Sequence, residues 1–418
     1  MTNAREFIAG RRYHRAPSAN APTPSSLALL PDLLRCDWDS RADFPRLDAG
    51  AWTDVVRTAL AHGVGGLLCR VIVAHECDVP SEIVDAAHMY FDEALRRGAA
   101  RIVQTMAVAD ALSDAGIDAL NFKGVALGVL AHADARLRPS GDIDVLVHRD
   151  DMPRAIAALA SHGYRQTDTF GPVVMRACYT TYGQDILFAP GRLPVEPHWT
   201  FAPRPFAVDF DLPGVWERRC DVAIGDTTLS TLGVEDTLLV ACLHGTKERW
   251  WRLLWIADVA GLVARHPALD WNALTERARR MGILRMLCLG VGLAQRLFTT
   301  SIPASVSEQI DDDATCARLI EESATLLGRE PRRSEALLRV SRFHFAARER
   351  VSDRMRYVAR TIATPQFKHY RMVALPDALV FGYVPIKLVH DYLLLPVWKL
   401  GKGRLWRRSS PAAQTDSA

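Results

Sequence analysis

NFKGVALGVLAHADARLRPSGDIDVLV, residues 121–147, decides how the rest of the chain is read. An apolar run from Ile117 to Phe122 breaks at Lys123-Gly124, a helix-like apolar segment follows, and a β-branched run opens at Asp142 with a second carboxylate at Asp144. The order is strand, turn, helix, strand. Side chains alternate along a strand, so Asp142 and Asp144 share one face while Ile143 and Val145 face the core. Two carboxylates on one face repel unless a cation lies between them, and oxygen ligands of this kind suit Mg²⁺ held together with substrate phosphates. Backbone N–H groups of the helix after Gly124 would be free to hold a triphosphate, helped by the helix dipole.

A third carboxylate, Glu196, lies in the strand-like run Leu193 to Trp199, flanked by apolar residues. Three carboxylates from two strands meet the needs of a two-metal site. His198 shares the face of Glu196, where it could bind phosphate, order Glu196 or assist deprotonation of an acceptor hydroxyl; a packed, hydrogen-bonded histidine is the alternative. Pro197 cannot donate to a ladder, which predicts an edge strand or a bulge.

The Lys-Gly turn, the strand read from Arg138 through Asp142 and Asp144 to Val147, the helix ending at Gly163-Tyr164, and the Val-Glu-Pro-His-Trp run at 195–199 together resemble the uncharacterised bacterial nucleotidyltransferase family of the DNA polymerase beta superfamily. The resemblance covers about residues 27 to 300. It implies an α+β fold: a small mixed-sheet, polymerase-beta-like core between N- and C-terminal helical regions. It also implies Mg²⁺, two ions with Mn²⁺ as a substitute, held by Asp142, Asp144 and Glu196. A nucleoside triphosphate would be positioned by Lys123, Gly124, Arg138, His198 and Lys247. The superfamily's turn usually reads Gly-Ser, its hydroxyl touching phosphate; Lys123-Gly124-Val125 removes the hydroxyl and supplies an ammonium, a point-charge partner for phosphate. Arg136 rivals Arg138 as the bidentate phosphate contact, and Ser140 could cap the turn or touch the nucleotide.

Length and composition bound the rest. A chain of 418 residues, 49% hydrophobic and 24% charged, has ordinary globular composition with room for two or three domains. A net charge of +3 implies no polyanion-binding field and no stable nucleic-acid partner. The eight cysteines are scattered without a Cys-x-x-Cys pair, which argues against a zinc ribbon or disulfide scaffold and suits a reducing cytoplasm. No apolar stretch of signal-peptide length follows the first charges.

The organisation expected is a disordered lead-in (1–26), an N-terminal helical cap without chemistry of its own (27–105), the catalytic core (106–232), a helical domain completing the nucleotide cleft (233–304), a basic helical region (305–408) and a disordered tail (409–418). Within the core a helix from Val103 to Ala115 closes at Gly116, another starts near Asp151 with Pro153 in its first turn, and strands are expected at Val173–Tyr182 and Gln184–Phe188. Further on, His244, Lys247, Trp251, Trp255 and Asp258 recur at steps of three and four. They lie on one helical stripe unless Gly245 breaks the helix; the stripe is either a base and phosphate contact or a packed amphipathic face. The arginines from Arg332 to Arg360 and the lysines and arginines of the tail form either a solvated basic face or a surface for peripheral contact with anionic lipid or an acidic partner. The apolar stretch 376–396 contains Lys387, His390 and Asp391 and is not expected to span a membrane.

The expected activity is transfer of a nucleoside monophosphate from a triphosphate to a hydroxyl or phosphate of an unidentified acceptor in the cytoplasm, with pyrophosphate leaving. The alternatives are a non-catalytic nucleotide-binding or antitoxin-like module of the same fold, and a glycosyltransferase using Asp-x-Asp. Glu196 facing away from the aspartate pair, or a salt-bridged lysine or arginine lodged where the ions belong, would count decisively against the enzymatic reading.

Overall fold

A computed structural model of the chain describes residues 24–166, 170–327 and 340–394, so the expected lead-in and tail lie outside the described residues almost entirely. The fold is α+β. Four helices come first: α1 (Pro24–Arg35), α2 (Ala49–Ala61), α3 (Gly65–Ala74) and the 34-residue α4 (Ser81–Asp114). The decisive segment then gives β1 (Ala119–Asn121), α5 (Gly124–His132) and β2 (Ile143–Val147), followed by α6 (Met152–Ser161), β3 (Arg165–Gln166), α7 (Pro172–Tyr182), β4 (Leu187–Phe188) and β5 (Val195–His198).

The sheet runs β1-β2-β5-β4-β3. Only β2 and β5 are parallel, and their register sets Asp144 beside Glu196 and Leu146 beside His198. Alternation does the rest. Ile143, Val145 and Val147 join Val108 and Leu112 of α4 and Leu159 of α6 in one core, whereas Leu146 packs on the opposite face in the larger helical core. Asp144 shares that second face and is buried.

Three expectations are corrected. β5 is an interior strand, not an edge: Pro197 is accommodated because its carbonyl faces the β4 side, accepting from Asp185 N–H at 3.0 Å, where the ladder reduces to Leu187 with Val195 and an isolated bridge from Gln184 to His198. Residues 172–182 are helix, not strand. Pro172 opens the first turn, Gly183 closes it at φ +72°, and Val174, Cys178 and Thr181 bury one helical stripe despite the β-branched residues around them. Nor does a helix start at Val103: α4 runs unbroken from Ser81 to Asp114.

Beyond the sheet come α8 (Leu212–Glu217), the hairpin β6 (Cys220–Ile224) and β7 (Thr227–Thr231), then α9 (Val234–Lys247), α10 (Leu253–Arg265), α11 (Trp271–Met281) and α12 (Leu284–Phe298). The expected single stripe does not exist, and the break lies after Gly245 rather than at it. Arg249 and Trp250 take φ +58° and +56°, and the chain restarts as α10. Gly245 is needed for this turn: a Cβ there would stand 2.4 Å from the fully buried Trp250 ring.

The C-terminal region supplies α13 (Ala304–Asp311), α14 (Ala314–Leu326), α15 (Arg342–Ala346), α16 (Val351–Ala363), α17 (Phe367–Met372) and α18 (Tyr383–Leu388). Part of its basic character is turned inward. Arg348 is buried against Phe206 and Lys387 donates to the carbonyls of Thr361 and Thr364, whereas Arg356 and Arg360 pair with Asp209 at the surface, at 2.9 and 3.0 Å. Arg332, Arg333 and Arg339 lie outside the described residues, among which no helix is long and apolar enough to cross a membrane.

Candidate active site

The site is built where β1, α5, β2 and β5 meet. Asp144 Oδ1 meets two basic side chains, Lys123 Nζ at 2.7 Å and His198 Nε2 at 3.0 Å. Glu196 Oε2 accepts from Gln184 at 2.6 Å and lies 3.6 Å from His198 Nε2. Ligand atoms of Asp144, Glu196 and His198 fall within 4.8 Å of one another. Asp142 stands beside this trio with its own partner, Ser140 Oγ, which donates at 2.7 Å to the Asp142 carbonyl oxygen and lies 3.0 Å from its Oδ1.

Burial makes these charges matter. Burial and repulsion from Asp144 and Glu196 push the Asp142 carboxyl up to about 7. Burial would raise Asp144 too, but Lys123 and His198 outweigh it and hold the group well below the usual carboxylate range. Conversely, burial opposes the charge on Lys123 and His198, and the acids beside them overcome it, raising both.

Lys123 reaches Asp144 from an unusual backbone. It precedes α5 at φ +63°, ψ −152°, a region that belongs almost to glycine alone, and Gly124 follows at φ +38°. Two successive left-handed residues turn the chain sharply out of β1. The first amide of α5 with a backbone acceptor is Leu127 N–H, on the Lys123 carbonyl at 2.9 Å; those of Gly124, Val125 and Ala126 have no partner among the described residues.

Two adjoining cavities share Phe122 and Lys123. One, a narrow cleft, lies between α4 and the acids and is lined by Gly124, Ser140, Asp142 and Asp144 together with Arg101 and Thr105. The other runs between α5, α9 and α10, and is lined by Leu127, Arg138, Thr237, His244, Trp255 and Asp258. There, burial and the charges of Lys123 and Lys247 push His244 well below its ordinary range, so its imidazole is neutral, with Nδ1 buried and unpartnered.

The structure thus brings together Lys123, Gly124, Asp142, Asp144, Glu196 and His198. Of the other two expected residues, Arg138 lines the second cavity but is already paired, and Lys247 lies outside both. Arg138, the anticipated phosphate grip, is buried and donates through Nε and Nη2 to the two oxygens of Asp258, both at 2.9 Å; His132 Nε2 meets the same carboxylate at 2.9 Å. This triad ties α5 to α10 where Gly261 lets the helices approach so closely that a Cβ would fall 2.2 Å from the Ala131 carbonyl oxygen. Lys247 lines neither cavity; its Nζ lies 3.5 Å from Glu248 and its carbonyl meets His344 Nε2 at 3.1 Å. Gln184, Arg101, Thr105 and the pairing of Asp258 were not foreseen. Gln184 follows a glycine on a segment only later joined to β5, and nothing in the spacing of α4 singles out Arg101.

No curated protein matches the chain. Among solved structures, that of an antigenic nucleotidyltransferase-like protein from Paracoccidioides brasiliensis is 16% identical, covering 49% of this chain and 94% of that one with a TM-score of 0.29, a likeness too loose to carry an argument. The family evidence is of a different kind. The family described as "Uncharacterised nucleotidyltransferase" matches residues 48–299, a span that contains the glycine turn, both aspartates, Glu196, His198 and the Arg138–Asp258 lock, so this chain belongs to that nucleotidyltransferase family.

Proposed function

We propose that the chain is a Mg²⁺-dependent nucleotidyltransferase that moves a nucleoside monophosphate from a triphosphate to an acceptor hydroxyl or phosphate. The observation that carries this is a register: Asp144 lies directly beside Glu196 on parallel strands, with Asp142 two residues before it and the partnerless amides of α5 alongside. The carboxylate oxygens are those a hard divalent cation would use, but Lys123 stands salt-bridged on Asp144 at 2.7 Å, the arrangement that counts against a metal, so the reading requires the cation to displace Lys123. Clustered carboxylate oxygens need a counter-charge, and Lys123, with His198 hydrogen-bonded beside it, now supplies it. Asp142, Asp144 and Glu196 would hold the metal, Mn²⁺ substituting for Mg²⁺; when bound it would stabilise charge on the attacking and leaving oxygens.

The protein's own groups do the positioning. Gly124 and the amides after it, with Lys123 released from Asp144, would face the phosphates. His198 would orient Asp144 and Glu196. An acceptor oxygen would attack the α-phosphorus in line as the bond to the bridging oxygen breaks and pyrophosphate leaves with its electron pair. Arg138 would serve by fixing α5 against α10, not by touching phosphate, and residues 233–304 would close the cleft. None of the eight cysteines is in a disulfide, which supports a reducing, cytoplasmic setting.

A second reading has its own observation. Because Lys123 and His198 already occupy Asp144, the same fold could bind nucleotide without turnover. Pyrophosphate release from each of the four nucleoside triphosphates, with Mg²⁺ or Mn²⁺ and fractionated extract as acceptor source, separates the two. Nucleotidyl transfer requires release that falls at least about a hundredfold in Asp144→Asn and Glu196→Gln. Nucleotide binding with no release in any fraction would favour the non-catalytic module.

A further inference from the structure

We propose that Arg101 and Thr105 of α4 form the second wall of a polyphosphate site, facing the amino terminus of α5 across the acid-lined cleft. The proposal rests on the nucleotidyl-transfer reading only for the identity of the ligand, a nucleoside triphosphate; the anion site itself rests on the side chains.

α4 is placed by a glycine. A Cβ at Gly98 would fall 2.3 Å from the Arg136 carbonyl oxygen, so the helix lies against the backbone of the loop between α5 and β2. One turn later Arg101 Nη2 donates to that same carbonyl at 2.9 Å, and Thr105, a further turn on, is buried in the cleft wall. Positions 98, 101 and 105 lie on one face of the helix.

Arg101 has donors left over. Its Nε is buried without a partner, and among the described residues no carboxylate lies within ion-pair distance. Burial and the neighbouring Arg138 and Arg97 all disfavour its charge. Every comparable cation nearby is occupied: Arg138 by Asp258, Arg136 by Asp134 at 2.8 Å, and Lys123 by Asp144. A half-buried guanidinium left without a counter-charge is costly, and the chemistry that answers it is an anion presenting several oxygens. Opposite lie the unpartnered amides of Gly124, Val125 and Ala126, which want the same ligand. A phosphate chain bridging the two walls satisfies both.

The experiment measures binding of magnesium tripolyphosphate, inorganic phosphate and the four nucleoside triphosphates by titration calorimetry to the full chain. The variants are Arg101→Gln, Arg101→Lys, Thr105→Val and, as a control, Arg97→Gln, whose exposed side chain pairs with Glu93. Arg101→Gln should weaken tripolyphosphate and triphosphate binding about tenfold or more, Arg101→Lys should recover part of this, and Arg97→Gln should match wild type. Thr105→Val should weaken the same ligands several-fold and keeps the test open if Arg101→Gln does not fold. Triphosphate binding unaltered in folded Arg101 and Thr105 variants overturns this site while leaving nucleotidyl transfer standing. Arg101-dependent tripolyphosphate binding without nucleotide turnover supports the site and removes the activity. A wild-type chain that binds neither ligand overturns both.

Discussion

Lys123 Nζ lies 2.7 Å from Asp144 Oδ1, on the carboxylate that a divalent cation would need. The ammonium and the metal therefore compete. Lys123→Met removes the competitor without adding a donor. Its affinity for Mn²⁺ in the absence of nucleotide should rise about tenfold or more, the scale of one buried charge-assisted contact, while any turnover falls with the loss of a phosphate partner. Mn²⁺ binding followed by electron paramagnetic resonance checks it. Equal affinity in the two proteins would mean that Asp144 is not a metal ligand.

The same residue sits on a strained backbone. At φ +63° and ψ −152° a side chain costs about 1–3 kcal/mol, against which the ion pair with Asp144 works. Lys123→Ala and Lys123→Gly both delete the ammonium, yet only glycine relaxes the turn. Lys123→Gly should therefore be the more stable by about 1–2 kcal/mol in urea unfolding, offset in part by glycine's looser unfolded chain. The opposite order would show that the turn is not strained.

Much of this was legible because it rests on local rules. The period of two put Asp142 and Asp144 on one face and Glu196 with His198 on another, and the parallel register made those faces coincide. What was not legible depends on partners far along the chain. Arg138 looks like a phosphate ligand until Asp258, 120 residues later, engages both its donors. Arg101 looks like a solvated helix residue until Gly98 brings α4 onto the Arg136 carbonyl. The Val173–Tyr182 stretch shows β-branched composition overruled by its ends, Pro172 and Gly183. Likewise Gly245, which sequence marks as a helix breaker, is there to admit Trp250.

Arg138 and Asp258 form a buried, bidentate pair whose role is mechanical. Removing one member leaves an uncompensated charge, so Arg138→Met or Asp258→Leu should each cost about 3–5 kcal/mol of stability. In the Arg138→Met/Asp258→Leu double variant the loss should be well below the sum of the two. Triphosphate affinity in the folded double variant should stay within a few-fold of wild type. If Arg138→Met keeps its stability and loses phosphate affinity instead, Arg138 is the phosphate ligand its sequence position suggests.

Acid should destabilise the junction between the cap and α10 through His62. Its Nδ1 accepts the Leu253 N–H at 3.1 Å, and burial together with Arg252 holds its pKa down at about 4. An unfolded histidine titrates near 6.5, so below that pH the unfolded chain takes up a proton the folded chain refuses. Stability from this group is fully present above about 6.5 and drains away as pH falls toward 4. By pH 5 the loss is about 2 kcal/mol. His344, pushed down to about 3 by burial and Arg348, adds to it with the same sign. Urea unfolding at pH 7 and 5 should show a shallower pH dependence in His62→Gln than in wild type; identical slopes would mean that His62 is already solvated in the fold.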